Sequence, residues 1–201
     1  MMMKKIITLT AAALMAISAS AQSEAGSLTW KPNVGITYTT ATGFLGKYSD
    51  GAVGVTAGVE AMYMLKEKFG AALGLNYTGY NTSVEVKKED LVYSNYYFNI
   101  PVTANYYVAP GLAIKAGIAL NFLSTAKLDG YDEFEYGFGI VSVKSKVKDL
   151  YKSTFFSIPV GASYEFNDFV FDARYNFGVS KAAKGGDGSF NALTFTVGYK
   201  F

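Results

Sequence analysis

From Leu193 to the final residue, Leu193, Phe195, Val197, Tyr199 and Phe201 alternate with Thr194, Thr196, Gly198 and Lys200. A two-residue period puts the two sets on opposite sides of a β-strand, one face apolar and the other polar. Seven earlier segments repeat the pattern: Trp30 to Thr40, Ala52 to Leu65, Phe69 to Tyr80, Ser94 to Val108, Leu112 to Leu123, Ser153 to Phe166, and Phe169 to Val179. In the fifth, for example, Leu112, Ile114, Ala116, Ile118, Leu120 and Phe122 alternate with Ala113, Lys115, Gly117 and Asn121. None of the eight apolar faces includes a charged residue. A helical period would instead scatter Asp172 and Arg174 among Phe169, Phe171, Tyr175 and Phe177, so strands are predicted throughout.

The connections alternate in length. Lys66 to Lys68, Ala109 to Gly111, and Asn167 with Asp168 read as tight turns; Ala41 to Gly51, Asn81 to Tyr93, Ser124 to Lys152 and Ser180 to Phe190 read as long polar loops. Short turns on one side and long loops on the other are the habit of transmembrane barrels, whose turns face the periplasm. The stretch Ser124 to Lys152 includes Phe138, Ile140, Val141, Ser142 and Val143 and leaves open whether it is loop or hairpin. The fold class expected is all-β: a closed antiparallel transmembrane barrel of about eight strands in meander order.

A barrel with alternating faces has two opposite readings. Apolar residues line the inside of a soluble lipocalin-like barrel, and they face lipid in a membrane barrel. The aromatic residues favour the second. Tyr63, Phe69, Tyr106, Tyr164, Phe169, Tyr199 and Phe201 gather near the turn ends, and Tyr38, Tyr77, Tyr96, Phe156 and Phe177 near the loop ends; Val59, Leu73, Val102, Ile114 and Val160 lie between. Two aromatic girdles around an aliphatic belt match the interfaces of a bilayer. A terminal strand ending on an aromatic is the usual C-terminal pattern of outer-membrane barrels, so Phe195, Val197, Tyr199 and Phe201 are expected to form the signal read by the barrel-assembly machinery.

The first residues supply a route to that membrane. Lys4 and Lys5 precede an apolar run from Ile6 to Ile17 and a small-residue end at Ala19, Ser20 and Ala21, the layout of a Sec signal peptide. Residues 1–21 are expected to be removed, leaving one barrel domain over 22–201. Loss of Lys4 and Lys5 balances the 18 basic and 16 acidic residues, so no electrostatic attraction to nucleic acid is expected. The chain has no cysteine, and therefore no disulfide, thiolate metal site or lipoprotein acylation site.

Seven charged residues fall on polar faces, all toward the turn ends: Lys31, Glu60, Lys115, Glu165, Asp172, Arg174 and Lys200. Eight strands enclose a bore just wide enough to be filled by side chains. Buried charges need partners because desolvation is costly. These seven are expected to form a lumen charge network that plugs the interior.

A repeat marks two of the strands. Tyr97, Phe98, Asn99, Ile100, Pro101, Val102, Thr103, Ala104, Asn105 and Tyr106 are nearly matched by Phe155, Phe156, Ser157, Ile158, Pro159, Val160, Gly161, Ala162, Ser163 and Tyr164. An aromatic pair, then Ile-Pro within a strand ending at a short turn, resembles the PorT-like outer-membrane β-barrel family across nearly the whole mature chain. That resemblance implies a small outer-membrane barrel, and the family includes a component linked to protein secretion. Proline removes a backbone donor, so Pro101 and Pro159 are expected to mark bulges or kinks.

Enzymatic chemistry finds little support. The chain has no histidine, the usual proton-transfer group near neutral pH, and the inward carboxylates read as salt-bridge partners. No cofactor or metal is expected. Asp129, Asp132, Glu133 and Glu135 offer oxygen ligands without an EF-hand spacing; Lys144, Lys146 and Lys148 alternate and suit contact with lipopolysaccharide phosphates or plain solvation. Gly185, Gly186 and Gly188 suit a loop tip. The expected function is a non-enzymatic outer-membrane barrel with a filled polar lumen, serving as a wall element and a display for outward loops. The alternative is an accessory of transport or secretion, and a soluble binding barrel follows only if the faces invert. Expected partners are outer-membrane lipid and lipopolysaccharide, the assembly machinery during insertion, and an envelope protein reached through the loops.

Overall fold

The computed structural model describes residues 24–46, 49–86, 89–129, 152–182 and 188–201. Eight strands follow in chain order: β1 (Leu28–Ala41), β2 (Asp50–Lys66), β3 (Phe69–Val86), β4 (Glu89–Ala109), β5 (Leu112–Asp129), β6 (Thr154–Phe166), β7 (Phe169–Gly178) and β8 (Phe190–Tyr199). One helical turn, α1 (Gly43–Gly46), lies between β1 and β2. Each strand pairs antiparallel with the next, and β1 pairs with β8 to close the barrel. Backbone bonds between Phe201 and Trp30, at 2.9 and 3.2 Å, continue that seam to the last residue. Among the described residues no helix is long and apolar enough to cross a membrane. The signal peptide expected over residues 1–21 lies outside the described residues.

Period-two alternation appears as alternating burial. Val34, Ile36, Val102, Ile114 and Ile118 are exposed on the outer wall, while Thr37, Asn99, Thr103, Lys115 and Thr196 are buried inside. The outward aromatics occupy both ends. Tyr77 stacks on Tyr96 at the loop end, with ring centroids 5.3 Å apart; at the turn end Phe169 meets Tyr199 at 5.5 Å and Tyr199 meets Phe201 at 4.9 Å.

Three two-residue connections define the turn end. In one, Pro110 precedes Gly111 at φ +73°, the combination a type II turn requires, because proline presets the first central residue and glycine accepts the left-handed second. Asn167, at φ 53°, supplies the left-handed residue between β6 and β7.

Strand length is uneven. β7 and β8 have 10 residues each, about one membrane crossing, whereas β3, β4 and β5 have 18, 21 and 18. Because the turn-end register is level from Phe69↔Tyr106 through Leu112↔Tyr164 to Phe169↔Tyr199, the excess rises at the loop end. The long loop expected over Asn81 to Tyr93 is therefore a correction: Ser83↔Val92 and Val86↔Glu89 continue the β3–β4 ladder. Similarly, β5 extends to Asp129 within the stretch left open from Ser124; residues 130–151, with Asp132, Glu133, Glu135, Lys144, Lys146 and Lys148, lie outside the described residues, as do Gly185 and Gly186.

The prolines also differ from expectation. Register shifts occur at Gly51/Thr56, Met64/Lys66, Tyr96/Tyr97 and Tyr107/Ala109, and neither Pro101 nor Pro159 sits at one. The β3–β4 ladder breaks between Leu73↔Val102 and Asn76↔Asn99 and resumes in the same register, which leaves Pro101 opposite Gly74. The β5–β6 ladder does the same between Ala116↔Val160 and Ala119↔Ser157, leaving Pro159 opposite Gly117. A Cβ on Gly74 would come 2.8 Å from Pro101 Cγ, so glycine makes room for the ring. Each proline is thus accommodated by an interrupted ladder opposite a glycine, without an inserted residue.

Candidate functional site: the filled lumen

The inner face is built in layers from the turn end upward. Met64, Tyr107 and Ala113 form an apolar cluster near the turns. Beside it, Tyr107 on β4 donates its hydroxyl to Glu165 Oε1 on β6, and Lys200, just beyond β8, donates to Glu165 Oε2.

A second cluster crosses the bore. Lys115 Nζ on β5 lies 2.6 Å from Asp172 Oδ2 on β7 and 3.4 Å from Glu60 Oε2 on β2. Glu60 also takes Lys31 Nζ from β1 at 2.7 Å and faces Arg174 Nη1 at 3.7 Å. Arg174 Nε closes the circuit on Asp172 Oδ1 at 2.6 Å. Three cations and two carboxylates from four strands thereby share one network in which every charge lies within reach of an opposite one, as burial demands. The strand period produces this, since Lys31, Glu60, Lys115, Asp172 and Arg174 all occupy inward positions at similar height. The gap bordered by Lys31, Glu60, Glu165 and Lys200 measures about 10 Å³, room for no more than one water.

Above the ions runs a row of amides. Asn33↔Gly58, Gly58↔Asn76, Asn76↔Asn99 and Asn99↔Asn121 are successive register pairs across β1 to β5. Asn99 Nδ2 donates to Asn121 Oδ1 at 2.7 Å, and Asn121 Nδ2 donates to Ser157 Oγ at 3.0 Å and Phe155 O at 3.2 Å. The Tyr80 hydroxyl donates to Asn121 Oδ1 at 3.2 Å, tying this layer to the one above.

That upper layer is aromatic and was missed in the sequence. Tyr80, Tyr97, Phe155 and Phe190 are fully buried, packed with Ala182, Ala192 and the nearly buried Leu123. Tyr97 and Phe155 meet edge to face at 5.1 Å, and Phe155 meets Phe190 at 6.0 Å. The expectation of a polar lumen is corrected here: its loop-end part is an aromatic plug. The signal was present in the repeated aromatic pairs, because adjacent residues point to opposite faces. Tyr97 and Phe155 turn inward while Phe98 and Phe156 turn out to the wall.

All seven charged residues singled out in the sequence therefore lie in two clusters, and Phe195, Val197, Tyr199 and Phe201 lie exposed on the outer wall at the closing seam. Among the described residues no group of three or more acidic, histidine or cysteine side chains could hold a metal.

A closed meander of eight strands, apolar outside and filled inside, is matched by comparison with known proteins. The profile of the family described as outer membrane protein beta-barrel domain covers residues 20–184. The chain belongs to that family. Comparison with curated protein sequences finds no match. Among solved structures, the barrel is similar to Ail, the attachment invasion locus protein of Yersinia pestis, crystallised with the heparin analogue sucrose octasulfate. The two share 16% identity, with 87% of this chain and 99% of that one covered, at a TM-score of 0.50. Neisserial surface protein A is similar at 15% identity, covering 86% and 97%, with a TM-score of 0.51. At such identities the likeness establishes the fold alone. Outer-membrane barrels of this family cross the bilayer with strands, so the exposed aliphatic wall of this one faces lipid.

Proposed function

We propose that this barrel is a closed, non-enzymatic element of the bacterial outer membrane that carries no solute through its bore and acts through its loop-end surface. The observation that supports this most directly is the Lys115 bridge from Asp172 to Glu60, which spans the bore from β5 to β2. The aromatic plug above it fills the same bore a second time. The tall β3–β4–β5 rim, rising past the outer girdle, provides the surface for an envelope protein or lipopolysaccharide; lipid surrounds the wall. The C-terminal residues Phe195, Val197, Tyr199 and Phe201 serve as the signal for the assembly machinery, after export by a cleaved Sec leader. Planar-bilayer recording of the purified barrel tests the closed bore. No steady current is expected, and a sustained ohmic conductance would overturn it.

A finer reading, an accessory of secretion of the PorT-like kind, is favoured by one observation. The two copies of the aromatic-pair and Ile-Pro motif are built alike, each with one ring inward and its proline opposite a glycine. Crosslinking in intact envelopes tests that reading. Recovery of a stable protein partner through the loop end supports it, and the barrel alone argues for the simpler role.

A further inference from the structure

The outer wall is not evenly studded. Ala162 on β6 and Ala173 on β7 are register partners, and their row continues to Ile114 on one side and to Phe195 on the other. Large side chains thus flank two adjacent methyl groups. Toward the turns, Tyr164 is paired with Phe171 and bounds the depression from below. The result is a groove of about 490 Å³ reaching from β5 to β1. An apolar cavity of roughly 150 Å³ already holds benzene, so this one accepts a substantial length of hydrocarbon.

We propose that this groove seats one acyl chain of a phospholipid from the periplasmic leaflet. The inference rests on the membrane reading above, and four observations select the occupant. The groove lies in the wall that faces lipid, and its outward side chains carry no charge. It sits in the turn-end half, which faces the periplasm when short turns do. The hydroxyl of Tyr199, hydrogen-bonded to Asp168 at 3.2 Å, marks the polar boundary just beyond it. A second copy of the barrel is the competing occupant, but a two-fold contact sets a surface against itself, which would oppose groove to groove and leave both unfilled. A flexible chain follows the concavity.

The test is native mass spectrometry of the full chain, refolded in detergent and titrated with dimyristoylphosphatidylethanolamine. Wild type is expected to saturate with one lipid per barrel. Ala162→Leu, and separately Ala173→Leu, fill the groove and should weaken that adduct about tenfold, the usual scale for altering an apolar pocket by a few methylenes. Ala104→Leu changes an outward alanine on β4 away from the groove and should leave the adduct unchanged. Heat-modifiable migration is checked in every sample. If it is present and adduct numbers spread identically in wild type and both groove variants, the seat is refuted while the barrel stands. A lipid-free dimer of wild type would also refute it. If wild type lacks heat-modifiable migration, the barrel reading fails and the seat falls with it.

Discussion

Lys115 Nζ lies 2.6 Å from Asp172 Oδ2, and each side chain is only 1% exposed. The lysine reaches Glu60 on the far wall as well, so it is the keystone of a five-residue ionic layer across the bore. Without it Asp172 keeps Arg174 and Glu60 keeps Lys31, but the link across the bore between them is lost. Lys115→Met should lower unfolding stability by about 1.5–3 kcal/mol, the scale of a lost charge-assisted hydrogen bond, measured by urea titration of the folded barrel in detergent. Pairing it with Asp172→Leu should deepen the loss, because buried Arg174 then loses its carboxylate at 2.6 Å.

The aromatic plug makes a separate prediction. Phe155→Ala removes a fully buried ring that touches Tyr80, Tyr97 and Phe190. The expected cost is about 3–5 kcal/mol of stability. Bilayer recordings of this variant should still show no steady current, since the ionic layer beneath is untouched. A pore opened by Phe155→Ala alone would mean that the plug, and not the charges, seals the bore.

Gly74 and Pro101 form a second coupled pair. Gly74→Val places a side chain into the proline ring and should destabilise by about 1–3 kcal/mol, the range for overfilling a packed site. Combined with Pro101→Ala, most of that penalty should vanish, and the non-additivity in a double-mutant cycle is the readout.

The closing seam can be tested at its end. Deleting Phe201 removes the backbone pair with Trp30 and the contact with Tyr199. The fraction of chain recovered in heat-modifiable form from cells should fall. An unchanged fraction would argue that the last residue contributes nothing to assembly.

Much of this was legible in the sequence. Every strand begins or continues within a segment of clean alternation, because lipid on one side and packed polar groups on the other impose opposite demands on successive residues. The inward charges were readable for the same reason, since Lys31, Glu60 and Lys115 could not lie on the lipid face. Three features were not. Tyr97 and Phe155 each sit beside another aromatic, and polarity does not say which ring of a pair turns inward. The segments Ser83 to Val86 and Glu89 to Val92 resembled loop because they carry charge, yet the β3–β4 ladder continues through them. Partner choice within each ionic cluster depended on barrel stagger, which places residues of β2, β5 and β7 at one height and cannot be read from spacing along the chain.

The direction of the two faces is tested most directly by spin labels at adjacent positions of β4, Val102→Cys and Thr103→Cys, in a reconstituted bilayer. A lipid-facing wall requires the label at 102 to collide freely with dissolved oxygen and little with a water-soluble nickel complex, and the label at 103 to be shielded from oxygen. Oxygen access at 103 with protection at 102 would mean that the apolar face lines the bore, and would contradict the membrane barrel outright.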